Sequence, residues 1–282
     1  MAHIHWYPGH IAKAERKLKE QLNLVDVIFE VVDARIPLSS KYFEIQKLVA
    51  DKPRLLIMNK SDVADPIKTI KFKEFYQKNY SLPTVATSTQ TNKDLSSVIS
   101  MGVELGNAKI QKLVEKGLLP RPVRAMVIGM PNVGKSSIIN KLIKKSKTKT
   151  GAKAGVTRSS QWVRINPKLE LLDTPGIIPM KMDNQQIATK LAFVNSVGEN
   201  AYDEVEVAQE LLECISKIYP EALNTYYKQQ GAPTLENIAI ARNWLISGGK
   251  PDIKRTASLI LSDFRHGRIG KLTLDDTEKL KN

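Results

Sequence analysis

Cysteine is almost missing from this 282-residue chain. Cys214 stands alone, so no internal disulfide can form and a reducing compartment is expected. Long apolar runs are missing too. No stretch reaches the roughly 18 residues that a membrane-spanning helix needs. The opening Met1-Ala2-His3-Ile4-His5-Trp6 lacks the apolar core of an export signal, so a cytoplasmic protein is expected. Acidic residues are scarce, 29 against 43 lysines and arginines, which leaves a net charge of +14. The excess is concentrated: residues 104–168 carry fifteen Lys/Arg against two acids, whereas residues 179–282 are close to neutral. A basic band around a ligand pocket would attract a polyanion, with an affinity that falls steeply with salt. Nucleic acid is the expected partner of such a band, and a merely solvated basic surface is the alternative.

The remaining composition, 42% hydrophobic and 26% charged, is that of a globular protein long enough for one large α/β domain and a smaller one. Apolar runs at Asp26–Val32, Arg54–Met58, Pro83–Ala86 and Val123–Ile128 predict strands. Helical spacing is found at Ile11–Leu22, Lys41–Asp51, Ile67–Asn79, Lys93–Glu115 and Lys135–Lys145. Gln161–Ile165 and Leu169–Leu172 read as a last strand pair. This alternation predicts a mostly parallel sheet with helices on both faces. From about Gln185 to Phe264 only helical patterns remain, interrupted at Pro220, Gly231-Ala232-Pro233 and Gly248-Gly249. The expected division is an α/β domain over 1–178 and an all-α domain over 179–282.

Four short words carry chemistry. Gly129-Met130-Pro131-Asn132-Val133-Gly134-Lys135-Ser136, between a strand and a helix, has the spacing of a phosphate loop. Its glycines let consecutive N–H groups turn toward a β-phosphate, Lys135 adds positive charge, and Ser136 offers a hydroxyl to Mg²⁺. Ser136 and Ser137 open a helix whose positive end faces the same anion. Asn59-Lys60-Ser61-Asp62 ends a strand and matches a guanine-reading word. The Asp62 carboxylate can accept from the guanine N1–H and exocyclic amine, a donor pair that adenine lacks. Asn59 can bridge the base edge to the phosphate loop, and the Lys60 stem can cover the ring. Alone this word is weak, since lysine and aspartate are common on loops; joined to a phosphate loop it is specific. Thr87 and Ser88 occupy the place where backbone groups would support the base, or else cap a helix. Asp173-Thr174-Pro175-Gly176 follows a strand, so that Asp173 can hold Mg²⁺ through water and the Gly176 N–H can meet a γ-phosphate. Thr157, between these two words, is the candidate to close over the metal from the basic segment 146–160.

The order of these words is the unusual part. The guanine word precedes the phosphate loop by about seventy residues, whereas in an ordinary GTPase it comes near the end, so a circularly permuted GTPase domain is predicted. One expected group is missing. The position after the Asp-x-x-Gly word, where a glutamine often orients the attacking water, holds Ile177. His10 is the substitute candidate, because imidazole can polarise water near neutral pH. An ordinary surface or helix-start histidine is the competing reading.

Trp6-Tyr7-Pro8-Gly9-His10, Val32-Asp33-Ala34-Arg35-Ile36-Pro37, Pro131 to Ser136 and the closing Asp263-Phe264-Arg265 and Gly270-Lys271-Leu272 resemble the bacterial ribosome biogenesis GTPase A family over essentially the whole chain. The resemblance implies a permuted P-loop GTPase domain, a helical C-terminal RNA-binding domain and a monomer. It also implies late maturation of the large ribosomal subunit, with rRNA and ribosomal proteins as partners and GTP hydrolysis stimulated by ribosomal particles. It places the catalytic histidine on His10, backbone contacts to phosphate on Val133, Gly134 and Lys135, and a potassium-linked asparagine on Asn132. The chain departs from the family pattern at Ile178-Pro179-Met180, at Ala154 and in the loop after Thr87-Ser88.

Overall fold

The computed structural model describes residues 4, 11–42, 45–49, 52–150, 162–172, 176–177 and 184–280. Among these, seven strands form one sheet: β1 (Val27–Asp33), β2 (Arg54–Asn59), β3 (Thr84–Ala86), β4 (Val123–Gly129), β5 (Trp162–Asn166), β6 (Leu169–Leu172) and β7 (Gly176–Ile177). The order is β3-β2-β1-β4-β6-β5, with β7 beside the far end of β4. All pairings are parallel except β5 with β6. The expected mostly parallel α/β fold is therefore what the chain adopts.

Helix α1 (Ile11–Leu22) precedes β1, and α2 (Ile45–Val49), α3 (Pro66–Tyr80), α4 (Leu95–Glu115) and α5 (Lys135–Thr150) lie between strands. They cover both faces. Along β2, Leu56 and Met58 join Phe72 and Tyr76 of α3 in one apolar cluster, while Leu55 and Ile57 join the main core, which includes Val98 of α4. Two glycines bring α4 close. A Cβ on Gly102 would lie 2.3 Å from the Phe29 ring, and one on Gly106 would lie 2.2 Å from Val123. The missing Cβ at each, at a cost in helix propensity, thus gives α4 its seat on β1 and β4.

β1 is buried along its whole length, yet it carries Glu30. Lys41 donates to both Glu30 oxygens at 2.8 Å, and Arg54 reaches one of them at 3.2 Å, so the charge is compensated. This corrects the helix expected from Lys41, since α2 starts at Ile45 and Lys41 belongs to the loop that serves Glu30.

Beyond the sheet come α6 (Gln185–Phe193), α7 (Glu204–Ile218), α8 (Pro220–Tyr227), α9 (Leu235–Ala241) and α10 (Ile253–Arg265). Asn184, Asp203, Thr234 and Asp252 cap the N-termini of α6, α7, α9 and α10 through side-chain oxygens. Residues 271–276 then return to the sheet. Leu272 N donates to Val63 O, Leu274 N donates to Arg35 O, and Thr273 Oγ1 donates to Ala34 O. The helical segment is thus tied at its far end to the loops after β1 and β2, a closure that the helical periodicity did not announce.

Candidate functional site

In a parallel sheet, ligands gather outside the carboxyl ends of the strands, where the chain reverses its direction of travel across the sheet. Here β2 and β3 lie on one side of β1 and β4 on the other, so that crevice opens at the ends of β1, β2 and β4. Asp33, Asn59 and Gly129 are the last residues of those three strands. The structure therefore brings the guanine word and the phosphate loop together, on either side of β1.

Contact between the two words is direct. Asn59 Nδ2 donates to Val133 O at 2.9 Å, and Lys60 Nζ donates to Asn132 O at 2.8 Å. Gly134 has φ +98°, and a Cβ there would lie 2.1 Å from Asn59 Nδ2. The second loop glycine is thus required twice, by its backbone angle and by the asparagine pressed against it. Asn59 Oδ1 and Ser61 Oγ are buried without a partner among the described residues.

Lys60 also pairs with Asp33 Oδ2 at 2.9 Å, and Asp33 takes both Nε and Nη2 of Arg35 at 2.9 and 2.7 Å. Burial pushes the Asp33 carboxyl upward, but Arg35 and Lys60 outweigh it and hold the group well below the usual carboxylate range. Arg35 is itself buried. Its Nη1 donates to Phe264 O, which also accepts from Gly267 N, and to Arg265 O, both in the last turn of α10. In the sequence, Asp33 and Arg35 stand out only within the stretch Val32 to Pro37 that carries the resemblance. Nothing local marks them as supports of Lys60.

Lys135 is buried and folds back so that Nζ donates to Met130 O at 2.7 Å. Burial lowers its pKa to about 8, and no carboxylate pairs with it among the described residues. Ser136 and Ser137 are exposed at the start of α5, and Asp62 is half-buried in the turn after Lys60. Gly176 stands in register with Ile128, so its backbone arrives beside the start of the phosphate loop.

Thr87 and Ser88 are buried, and their side chains are already engaged. Thr87 Oγ1 donates to Lys93 O, and Ser88 Oγ accepts from Gln90 N and Thr91 N. The helix-cap alternative does not hold, because α4 begins at Leu95 and these residues close a loop before it. Ser61 N donates to Thr87 O, so the guanine word rests on this loop through backbone. His10, Thr157 and Asp173 lie outside the described residues.

Part of the basic band lies away from the crevice. Lys109 and Arg121 pair with Asp26, next to the amino end of β1. β4 spans seven residues, about 20 Å at some 3.3 Å each, between these cations and the phosphate loop. Residues 109–124 therefore lie at the opposite edge of the sheet, together with exposed Leu118 and Leu119. Among the described residues of the band, Lys135 at the start of α5 stands beside the loop.

A family model described as "50S ribosome-binding GTPase" matches residues 124–233. The chain is 38% identical over 279 residues to a Ribosome biogenesis GTPase A of Priestia megaterium, covering 97% of this chain and 96% of the relative. It is 36% identical over 282 residues to that of Bacillus licheniformis, covering 98% and 99%. Among solved structures it resembles GNP-bound YlqF from T. maritima, with a TM-score of 0.65, 25% identity, and coverage of 94% of this chain and 99% of that one.

Proposed function

This chain belongs to the ribosome biogenesis GTPase A family, and from that premise we propose that it hydrolyses GTP to GDP and phosphate as an assembly factor in late maturation of the large ribosomal subunit, with turnover stimulated by the particle it binds. The observation that carries the guanine-nucleotide reading is the hydrogen-bonded junction of Asn59 and Lys60 with the phosphate loop. No class of ligand other than a guanine nucleotide calls for both words at one crevice.

In this reading Asp62 accepts from the guanine edge, Asn59 and Ser61 offer their unpaired oxygens beside it, and the Lys60 stem covers the ring. Backbone N–H groups of Val133, Gly134 and Lys135 face the β-phosphate, and Lys135 moves its ammonium from the Met130 carbonyl to the β- and γ-oxygens. A buried cation bonded, among the described residues, to a carbonyl fits a phosphate, since the anion would compensate the charge that burial leaves without water. Ser136 fits a Mg²⁺ through its exposed hydroxyl, with Thr157 and Asp173 as its further holders and Gly176 N–H at the γ-phosphate. Mg²⁺ supplies neutralisation of charge on the phosphate oxygens when bound. His10 orients the attacking water in place of the side chain that Ile177 lacks. We also assign potassium to the neighbourhood of Asn132, the 1–178 segment to the GTPase domain and 179–282 to the RNA-facing helical domain, in a cytoplasmic monomer.

Hydrolysis of GTP and ATP, with and without large-subunit precursor particles, tests this. GTP alone should turn over, and faster with particles; equal rates with and without them would remove the stimulation. Ile177 favours a second reading, a GTP-dependent RNA-binding switch whose hydrolysis is incidental. His10→Ala decides between them. Turnover that collapses at unchanged GTP affinity supports the enzyme, and unchanged turnover supports the switch.

A further inference from the structure

We infer that Asn195 and Ser196, from the helical segment, are positioning residues for the phosphate loop; this rests on the reading that the loop holds nucleotide phosphates. Asn132 Nδ2 donates to Asn195 O at 2.6 Å, and Ser196 Oγ donates to Pro131 O at 2.7 Å. Two consecutive residues of one segment thus grip two consecutive residues of the loop.

The gripping pair is rigid for a local reason. α6 ends in a reciprocal C-cap: Ser196 N donates to Leu191 O, and Asn195 N donates to Ala192 O. That cap needs a left-handed residue after the last turn, and Asn195 supplies it with φ +61°. The cap fixes the direction of the Asn195 carbonyl and places Ser196, which is buried, directly beside it. On the receiving side Asn132 is also left-handed, with φ +56°, as is Lys60 with φ +63°. These three non-glycine residues are hydrogen-bonded in series, Lys60 to the Asn132 carbonyl and Asn132 to the Asn195 carbonyl. Left-handed backbone outside glycine persists where the surroundings over-determine it, and such positions gather at ligand clamps. The phosphate loop is therefore held from two sides, by the guanine word and by the cap of α6.

The physical consequence is preorganisation. A loop that already has its N–H groups converging loses less freedom when the anion arrives. Removing the grip should raise the nucleotide Kd through faster dissociation. By linkage, nucleotide should also strengthen the attachment of α6 to the loop.

The test uses the full-length chain and N-methylanthraniloyl-GDP as probe, with Ser196→Ala and Asn195→Val as breaking variants. Ser196→Thr keeps the hydroxyl, and Asn195→Gly keeps both the carbonyl and the left-handed angle. The breaking variants should lose about fivefold in affinity, the scale of one net hydrogen bond, with faster release. The conservative pair should stay within about twofold of wild type, and the circular dichroism of all four should match it. Wild-type-like release in both breaking variants would overturn the inference. A wild-type chain that fails to bind the probe would instead overturn the nucleotide reading beneath it.

Discussion

Among the described residues, two attachments of the C-terminal helices to the sheet are built of different material. One is a strap. Residues 272–275 are buried against the loops after β1 and β2, and Asp275 accepts from Leu38 N, Ser39 N and Ser39 Oγ at 2.8 Å and from Lys190 Nζ at 2.6 Å. Tyr219 OH adds a bond to Asp65, the N-cap of α3, and Arg35 closes the end of α10. The other is the grip of Asn195 and Ser196 on the phosphate loop, two neutral hydrogen bonds at a partly exposed edge. Buried charges left unpaired are costly, whereas a neutral bond near water can be exchanged for one to solvent. The difference suits a permanent anchor on the guanine side and a releasable contact on the phosphate side.

Breaking the strap should therefore cost most. Arg35→Met leaves Asp33 buried with Lys60 alone and takes the side-chain donor from the last carbonyls of α10, so a loss of about 4 kcal/mol is expected in urea denaturation. A loss below about 1 kcal/mol would mean that Arg35 is not structural. Asp275→Asn keeps the shape but removes the charge facing Lys190, and about 2 kcal/mol should disappear from the same measurement. Nucleotide affinity, read below the unfolding transition, should hardly move for Asp275→Asn, because the loop grip is intact. A large affinity loss there would merge the two attachments into one.

Acid distinguishes them further. The folded Asp33 carboxyl is held below its ordinary value, so its contribution is fully present above the unfolded pKa of about 3.9 and is lost as pH falls toward the folded value. Asp26 has the same sign: burial raises it, but Arg121, Lys109 and the Arg124 N–H together bring it lower. Unfolding midpoints should thus drop steeply below about pH 4.5, and Asp33→Asn should flatten that limb. A limb as steep as wild type in that variant would assign it elsewhere. The smallest effect belongs to Ser196→Ala without nucleotide, about 1 kcal/mol of stability at most, because one neutral bond is lost at the edge of the loop. A much larger loss would make the grip structural and not releasable.

Much of the fold could be read from local pattern. β1, β2 and β4 are buried on both faces, so their residues form continuous apolar runs that stand out from polar helices. The phosphate loop was legible because curling around an anion demands glycine at fixed spacing. Local spacing puts Lys41 in a helix, whereas the residue that holds it in a loop, Glu30 in the middle of a buried strand, is distant in sequence. The hydroxyls of Thr87 and Ser88 fit a helix cap as well as a loop in local pattern, and the fold uses them to close the loop before α4.

The sequence by itself determined the chemistry on offer: a phosphate loop, a guanine word placed before it, and an Asp-x-x-Gly word after it, each a short segment whose backbone geometry depends on its own residues. Only the tertiary structure decided what those words touch. Asn59 presses on Gly134, Asp33 and Arg35 tie Lys60 to α10, and Asn195 and Ser196 hold the loop across more than sixty positions. It also moved the cations of residues 109–124 to the edge of the sheet opposite the loop. The reason is common to all of them. A hydrogen bond or ion pair between distant segments needs only an asparagine, a serine or a charge on each side, and such residues look the same on any loop until the strands set their neighbours.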